Sequence, residues 1–503
     1  MKDGARAVNE AATFEQAKTP SDDDQFLQIV AEPKQTSPGK IESEQKLTRV
    51  AFKVSRLMEF CSERELQNQT GHSVYDWPLV VGKELMDNAL DACEEAEVAP
   101  QITVAVDSGT IIVQDNAGGI DIETIKSILD YTIRVSSREA YVSPTRGAQG
   151  NALKTILAMG YVLDRNNGSD ADAAGITIIE TRGIRHQIEF RVDHINNQPK
   201  IIHTTAESSV NVGTKLTIQW PQAEKDFLLK NAVNGFKSLI KAYAWFNPHL
   251  TLCGVWFGSE FINVKATNPD WEKWQPRNPT SPHWYDESRL QRYLAAHVAR
   301  DRDLGQRRTV REFIAEFRGL SGTAVQRKIL NEVGCSYQSL AQFFGVERVN
   351  RAGIAKLLEA MRKYSKPVDP KHLGTIGVEH FKERFRAAGG NIDTFKYERR
   401  KGINNGIPYI VEFAFGLHQS GLERGGYVPR NFVTGANWSA GIHNPFRRFG
   451  STGEGLENTL AAVRASSNQP VIGALHLACA YIQYADRGKS AIILSDDAEQ
   501  PHD

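Results

Sequence analysis

Cysteine is scarce in this 503-residue chain: there are five, Cys61, Cys93, Cys253, Cys335 and Cys479, none in a C-x-x-C pair. That scatter argues against a disulfide framework and against a structural zinc, and it fits a reducing compartment. Net charge is also missing. Lysine plus arginine, 60, equals aspartate plus glutamate, 60, so no global field points to nucleic acid, and any DNA contact must come from local patches. No apolar run approaches a membrane span and the N-terminus has no apolar signal core, so a cytoplasmic protein without membrane contact is expected. No G-x-x-x-x-G-K-[ST] occurs, which excludes a P-loop enzyme. Internal repeats are absent too.

What remains is an ordinary globular composition on a chain long enough for more than one core. Residues 1–45 are rich in Asp, Glu, Lys, Gln, Ser and Pro and are expected to form a disordered tail. From Leu47 the apolar residues fall at helical spacing. After the loop NQTGHSVYDW, Pro78 sits near the first turn of the next helix. This helix contains Val80–Ala92, VVGKELMDNALDA. At 3.6 residues per turn, Glu84, Asn88, Asp91 and Glu95 lie within about 60° of one another. Met86, Leu90 and Cys93 lie opposite, and such a stripe is ordinarily a solvated face.

Two strands follow, QITVAVD and TIIVQD, joined by a Ser-Gly turn. Residues 121–133 read as a helix, a second helix starts near Asn151, and the strands GITIIETRG, RHQIEFRVDH, PKIIHTT and VGTKLTIQWP come next. A helix over 225–245 ends this block. Its order is not the β-α alternation of a doubly wound sheet, so an α/β sandwich of mixed sheet and helices is expected. Residues 286–363 are helical and highly charged. The remainder returns to mixed structure, with strands at IPYIVEFAFGL, VIGALHLAC and SAIILSDDAE and a helix at ENTLAAVRAS.

Three glycine-containing elements follow the Glu84 helix in order: Asp115 with Gly118-Gly119, then Arg146-Gly147-Ala148-Gln149-Gly150-Asn151, then Gly213-Thr214. Each alone is weak; together they outline a nucleotide site. An aspartate at a strand end accepts a hydrogen bond from an adenine amino group, and neighbouring glycines let the backbone approach the base. A glycine-rich loop running into a helix offers N–H groups and a positive dipole end to phosphates. Asn88 supplies a neutral oxygen suited to Mg²⁺. Glu84, one turn away, is placed to orient or deprotonate the water that attacks a γ-phosphate.

ELMDNALDACEEAEVAP, DNAGGI and TRGAQGNA resemble the ATP-binding (GHKL, or Bergerat) fold shared by gyrase, the heat-shock-90 chaperones, histidine kinases and mismatch-repair ATPases. Within that superfamily they are most similar to the B subunit of DNA topoisomerase VI. FNPHLTL, PKHLGTIG and HLACAYIQYADRGKSAIIL extend the resemblance over about residues 47–495. It implies an α+β protein: a GHKL sandwich at 46–250 and a helix-turn-helix-like helical module at 251–370. A transducer domain of ribosomal-protein-S5-like α/β type would occupy 371–495, and a tail 496–503.

The resemblance further implies ATP and Mg²⁺ as cofactors, Glu84 as catalytic carboxylate, and Lys489 as a switch lysine presented to the γ-phosphate. Asn88 would hold the metal, with Asp91 beside it. Asp115 would anchor adenine with Gly118, Gly119 and Thr214 around the base, and Arg146 to Asn151 would form the phosphate lid. Ala152 departs from the pattern, adding a Cβ where the family backbone bends close to phosphate.

ATP would close a homodimer and drive DNA cleavage or strand passage by a separate A-type subunit. No carboxylate cluster or tyrosine nucleophile stands out for cleavage in this chain. The competing class is a GHKL conformational clamp in a repair or defence complex. A histidine kinase core is a weaker reading, since no phosphoacceptor-helix pattern precedes the fold. Outside the motifs, Gln306-Arg307-Arg308 with Arg311, and Arg399-Arg400-Lys401, offer basic patches for DNA phosphate. Lys154 reads either as a lid charge or as a helix-surface lysine. His249 and His476 read as packed core histidines, and Asp301-Arg302-Asp303 as a solvated face.

Overall fold

The computed structural model describes residues 62–107, 109–129, 140–146, 152–167, 173–193, 198–221, 225–275, 277–345, 348–420, 429–447, 455–485 and 491–493. The expected tails at 1–45 and 496–503 and most of the helix expected from Leu47 lie outside them.

A short helix α1 (Glu63–Thr70) precedes the long α2 (Trp77–Glu95). Pro78 stands in the first turn of α2, where its missing N–H costs nothing. Leu85, Met86 and Leu90 are fully buried, each worth about 1.5–3 kcal/mol against exposure. The C-terminal end of α2 is tied by the side chain of Asn116. Its Oδ1 accepts from the Gln101 N–H (2.8 Å) and from the Cys93 thiol (3.3 Å), and its Nδ2 donates to the Ala99 carbonyl (3.1 Å).

The chain then lays down β1 (Gln101–Asp107), β2 (Thr110–Gln114), α3 (Ile122–Leu129) and α4 (Ala152–Asn167). Four strands follow, β3 (Gly175–Thr181), β4 (Ile184–Asp193), β5 (Gln198–Glu207) and β6 (Thr214–Gln219). After α5 (Lys225–Phe246) come β7 (Thr251–Trp256) and β8 (Ser259–Val264). The eight strands form one sheet in the order β5-β4-β3-β6-β2-β1-β7-β8. Within it β1 and β7 run parallel, and the other described neighbours are antiparallel. In β1, Ile102, Val104 and Val106 are buried while Gln101, Thr103 and Asp107 are exposed, as a sheet with one face under helices requires. This is the mixed sandwich the element order predicts.

The helical stretch holds α6 (Glu287–Asp303), α7 (Val310–Ala315), α8 (Thr323–Val333), α9 (Leu340–Phe344) and α10 (Arg351–Lys363). Both α7 and α9 start with a complete capping box, Thr309 with Glu312 and Ser339 with Gln342. Asp301 in this stretch corrects the solvated-face reading. It is 6% exposed and 3.7 Å from the Arg308 guanidinium, while Arg302 and Asp303 are exposed.

A second sheet follows α11 (Val378–Ala387): β9 (Lys396–Asn404), β10 (Ile407–Leu417), β11 (Asn431–Ala436), β12 (Ser439–Ala440), then α12 (Leu456–Ala462) and β13 (Val471–Cys479). Its order is β12-β11-β13-β10-β9, with β11 and β13 parallel. The segment PKHLGTIG is held to β10 by the fully buried Glu412, which accepts from the Ile376 and Gly377 N–H groups and from the Tyr397 hydroxyl. Within the expected strand SAIILSDDAE only 491–493 are described, and Ile492 bridges Tyr484. No described helix is long and apolar enough to cross a membrane.

Candidate nucleotide site

The end of β2 delivers Asp115 into a loop built around its carboxylate. Oδ1 accepts from the Ala117 N–H at 2.9 Å and the Thr214 N–H at 3.1 Å. Two backbone pairs, Asp115 N–H to Thr214 O (3.0 Å) and Gly213 N–H to Ala117 O (2.9 Å), close the loop onto the start of β6. Gly213 has φ +79°, and a Cβ there would meet the Asp115 carbonyl oxygen at 2.0 Å, so only glycine fits. Gly119 has φ +78° and packs on Thr181, whose hydroxyl donates to the Gly213 carbonyl and accepts from the Ile120 N–H. Gly118, by contrast, faces open space. Burial pushes the Asp115 carboxyl above its ordinary range, against the two backbone donors. One carboxylate oxygen is thus used by the fold, and Oδ2 accepts no hydrogen bond from a described residue.

Helix α2 carries the other half. Glu84, Asn88 and Asp91 are half-buried along one stripe and Glu95 is exposed. Neither Glu84 nor Asn88 takes a hydrogen bond or ion pair from another described residue. The bond from Cys93 to Asn116, next to Asp115, ties the C-terminal end of the helix to the loop.

The remaining charges of α2 face inward, where only apolar residues are expected. Lys83 and Asp87 are buried and paired at 2.6 Å. Ser439 from β12 accepts from Lys83 (2.5 Å) and donates to Asp87 (2.8 Å), and the Tyr243 hydroxyl donates to the second Asp87 oxygen (2.7 Å). Burial works against the Lys83 charge, but Asp87 and Glu84 outweigh it and leave the ammonium with a raised pKa.

Glu94 is the centre of a second buried cluster. Arg146 grips it through both guanidinium ends (2.7 and 2.8 Å) and also reaches Asp91 and the Asn247 side-chain oxygen, each at 2.6 Å. Lys273 adds an ion pair at 2.7 Å and His249 Nε2 donates at 3.0 Å. Burial opposes the Glu94 charge, yet Arg146 and Lys273 hold its carboxyl well below the usual range. Burial lowers the His249 pKa, which keeps the ring neutral. Asn247 Nδ2 donates to the carbonyl of Trp438, the turn residue before β12, and Lys273 lies over the Trp438 ring.

Several sequence expectations change accordingly. Arg146, expected in the phosphate lid, has a fully buried side chain committed to Asp91 and Glu94. Asp91 is drawn into the same ion pair. Lys154 is 8% exposed, so it is not a surface lysine. His249 is not simply packed, because it bonds Glu94, while His476 is a core histidine whose Nε2 accepts from the Trp438 N–H. Arg308 is tied to Glu316, which leaves Arg307, Arg311 and the exposed Arg399-Arg400-Lys401 of β9 as the open basic residues of those patches. Gly147, Ala148, Gln149, Gly150, Asn151 and Lys489 lie outside the described residues. On either side of Lys489, Tyr484 and Ile492 are bridged, and Tyr484 is close enough to Asp87 for that charge to add to the effect of burial in raising its pKa. Lys83, Asp87 and Glu94 escaped the sequence reading; the i,i+4 spacing of Lys83 and Asp87 was the one available signal.

No protein-family model matches the chain. It is 24% identical to the type 2 DNA topoisomerase 6 B subunit of Archaeoglobus fulgidus over 439 residues, 82% of this chain and 66% of that protein. The corresponding protein of Methanosarcina acetivorans is 26% identical over 364 residues, 69% of this chain and 52% of that protein. The chain therefore spans between about half and two thirds of the length of these relatives. Among solved structures, the ATPase region of Saccharomyces cerevisiae topoisomerase II aligns over 83% of this chain and 77% of its own, at 10% identity and a TM-score of 0.34, too low to bear on the reading. Along most of its length the chain is similar to B subunits of type 2 DNA topoisomerase 6.

Proposed function

We propose that the chain is the ATP-binding and ATP-hydrolysing subunit of a topoisomerase VI-like complex. The observation that carries this reading is the Asp115 loop: a buried carboxylate with one oxygen fixed by backbone and the other unengaged by described residues, tied through Asn116 to the end of the helix that carries Glu84 and Asn88. The spare oxygen accepts from the adenine amino group, and Thr214 and Gly119 border the base. Asn88 fits a hard cation, being a half-buried neutral oxygen donor without a partner among the described residues, and Mg²⁺ bound there would neutralise phosphate charge. Glu84, one turn away, orients the attacking water and takes its proton. Gly147 to Asn151 supply lid N–H groups, and Lys489 supplies a charge to the γ-phosphate.

Coupling rests on α2 itself. Lys83 and Asp87 precede Glu84 and Asn88 by one residue each, and both bond Ser439 of the second sheet. A shift of that sheet therefore reaches the catalytic stripe through one rigid helix, as a transducer requires. ATP closes two such chains into a homodimer, and a separate A-type subunit cuts the DNA, with β9 and the Arg307–Arg311 face offering phosphate contacts. The test is reconstitution: the pair should relax supercoiled DNA only with ATP and Mg²⁺, and a chain that binds no ATP would end the proposal.

A further inference from the structure

We propose that His72, Asp76 and His443 form a binding site for a divalent transition-metal ion of the zinc class, joining the segment ahead of α2 to the loop after β12. One ligand atom from each residue lies within 4.8 Å of the other two. His443 Nε2 is 3.8 Å from Asp76 Oδ2, and the two imidazoles stand 5.4 Å apart, tilted by 42°. The Ser73 hydroxyl donates to the same Asp76 oxygen at 3.1 Å and orients the carboxylate, as outer-shell partners of metal ligands do.

Two imidazole nitrogens and one carboxylate oxygen suit zinc-class ions and not Mg²⁺ or Ca²⁺, which take oxygen sets. The site is therefore chemically separate from Asn88. Metal–ligand distances of about 2.0–2.2 Å bring ligand atoms to roughly 3.3–3.6 Å in a tetrahedron, a closure of about an ångström, and three protein ligands leave a position for water. His72 is 6% exposed and held by packing, while the half-open Asp76 and His443 side chains give the ion a path from solvent. The His443–Asp76 ion pair at 3.8 Å by itself contributes about 1 kcal/mol or less. The scattered cysteines argue only against thiolate zinc, not against this set.

The His443 loop follows β12, whose Ser439 bonds Lys83 and Asp87, and its Pro445 carbonyl accepts from the Ile492 N–H at 2.8 Å. A bound ion would brace the start of α2 against the loop that supports the chain just beyond Lys489.

The test uses the full chain, tag removed and stripped with chelator. Zn²⁺ is titrated calorimetrically, and Co²⁺ is followed by its visible absorption. One ion per chain should bind with micromolar or tighter affinity, and His443→Ala and Asp76→Asn should each weaken it by at least about tenfold. Zn²⁺ should raise the melting temperature of the parent and not of either variant, and far-UV circular dichroism should show all three equally folded. Absence of binding to the parent, or binding of unchanged affinity in His443→Ala, would overturn the assignment.

Discussion

Asp115→Asn isolates the base-recognition claim because the fold uses only half of the carboxylate. An asparagine in the same rotamer keeps a carbonyl oxygen at Oδ1, where the Ala117 and Thr214 N–H groups bind at 2.9 and 3.1 Å. The loop should therefore stay closed. The amide nitrogen then stands where Oδ2 stood and turns an acceptor for the adenine amino group into a donor. A hydrogen bond to a charged acceptor is worth about 1.5–3 kcal/mol, and opposing two donors adds to that loss. With tenfold in affinity per 1.4 kcal/mol, ATP binding should weaken by about a hundredfold. The assay is calorimetric titration with ATP and with inosine triphosphate, whose base has no amino group. The parent should prefer ATP strongly, and the variant should lose that preference while melting within a few degrees of the parent. Undiminished ATP affinity in Asp115→Asn, or a parent that does not distinguish the two bases, would refute the assignment of Oδ2.

Two further predictions concern the buried charges. Arg146→Met keeps the volume of the side chain but leaves Glu94 and Asp91 without their guanidinium, which should cost about 3–5 kcal/mol of unfolding free energy in a urea titration; a loss under about 1 kcal/mol would mean the cluster is solvated. For pH, three of the buried histidines are shifted furthest: His297 down to about 4, His380 and His476 to about 3, each chiefly by burial. Their folded values lie below the ordinary 6.5, so the stability they contribute is complete above that pH and is lost as pH falls towards the folded values. At pH 5.5 each costs about 1.4 kcal/mol, roughly 4 kcal/mol together, so urea midpoints at pH 7.5 and 5.5 should separate accordingly, and coincident midpoints would contradict the burial of these rings.

The parts of this structure that were legible in the sequence are those whose physics is local. The strand alternation and the Pro78 start of α2 are visible in short windows. The buried side of α2 was not legible, because its partners come from far along the chain. Ser439 lies more than 350 residues from Lys83 and Asp87, and Lys273 and His249 meet Glu94 from beyond β6. Nothing in VVGKELMDNALDACEE distinguishes Glu94, which turns inward, from Glu95, which faces water. Arg146 shows the same limit. A glycine-rich loop beginning with arginine reads as a phosphate grip, and only the packing reveals that the guanidinium is consumed by two carboxylates.

The central claim is that Glu84 performs the chemistry while the Asp115 loop and Asn88 hold the nucleotide. Its most direct test is Glu84→Gln, assayed for Mg-ATP binding and for phosphate release. The substitution preserves size and the half-buried position, so binding should persist near the parent's affinity, and turnover should fall by about a hundredfold or more, the contribution of a positioned general base. Phosphate release at the parent's rate in Glu84→Gln would contradict the account.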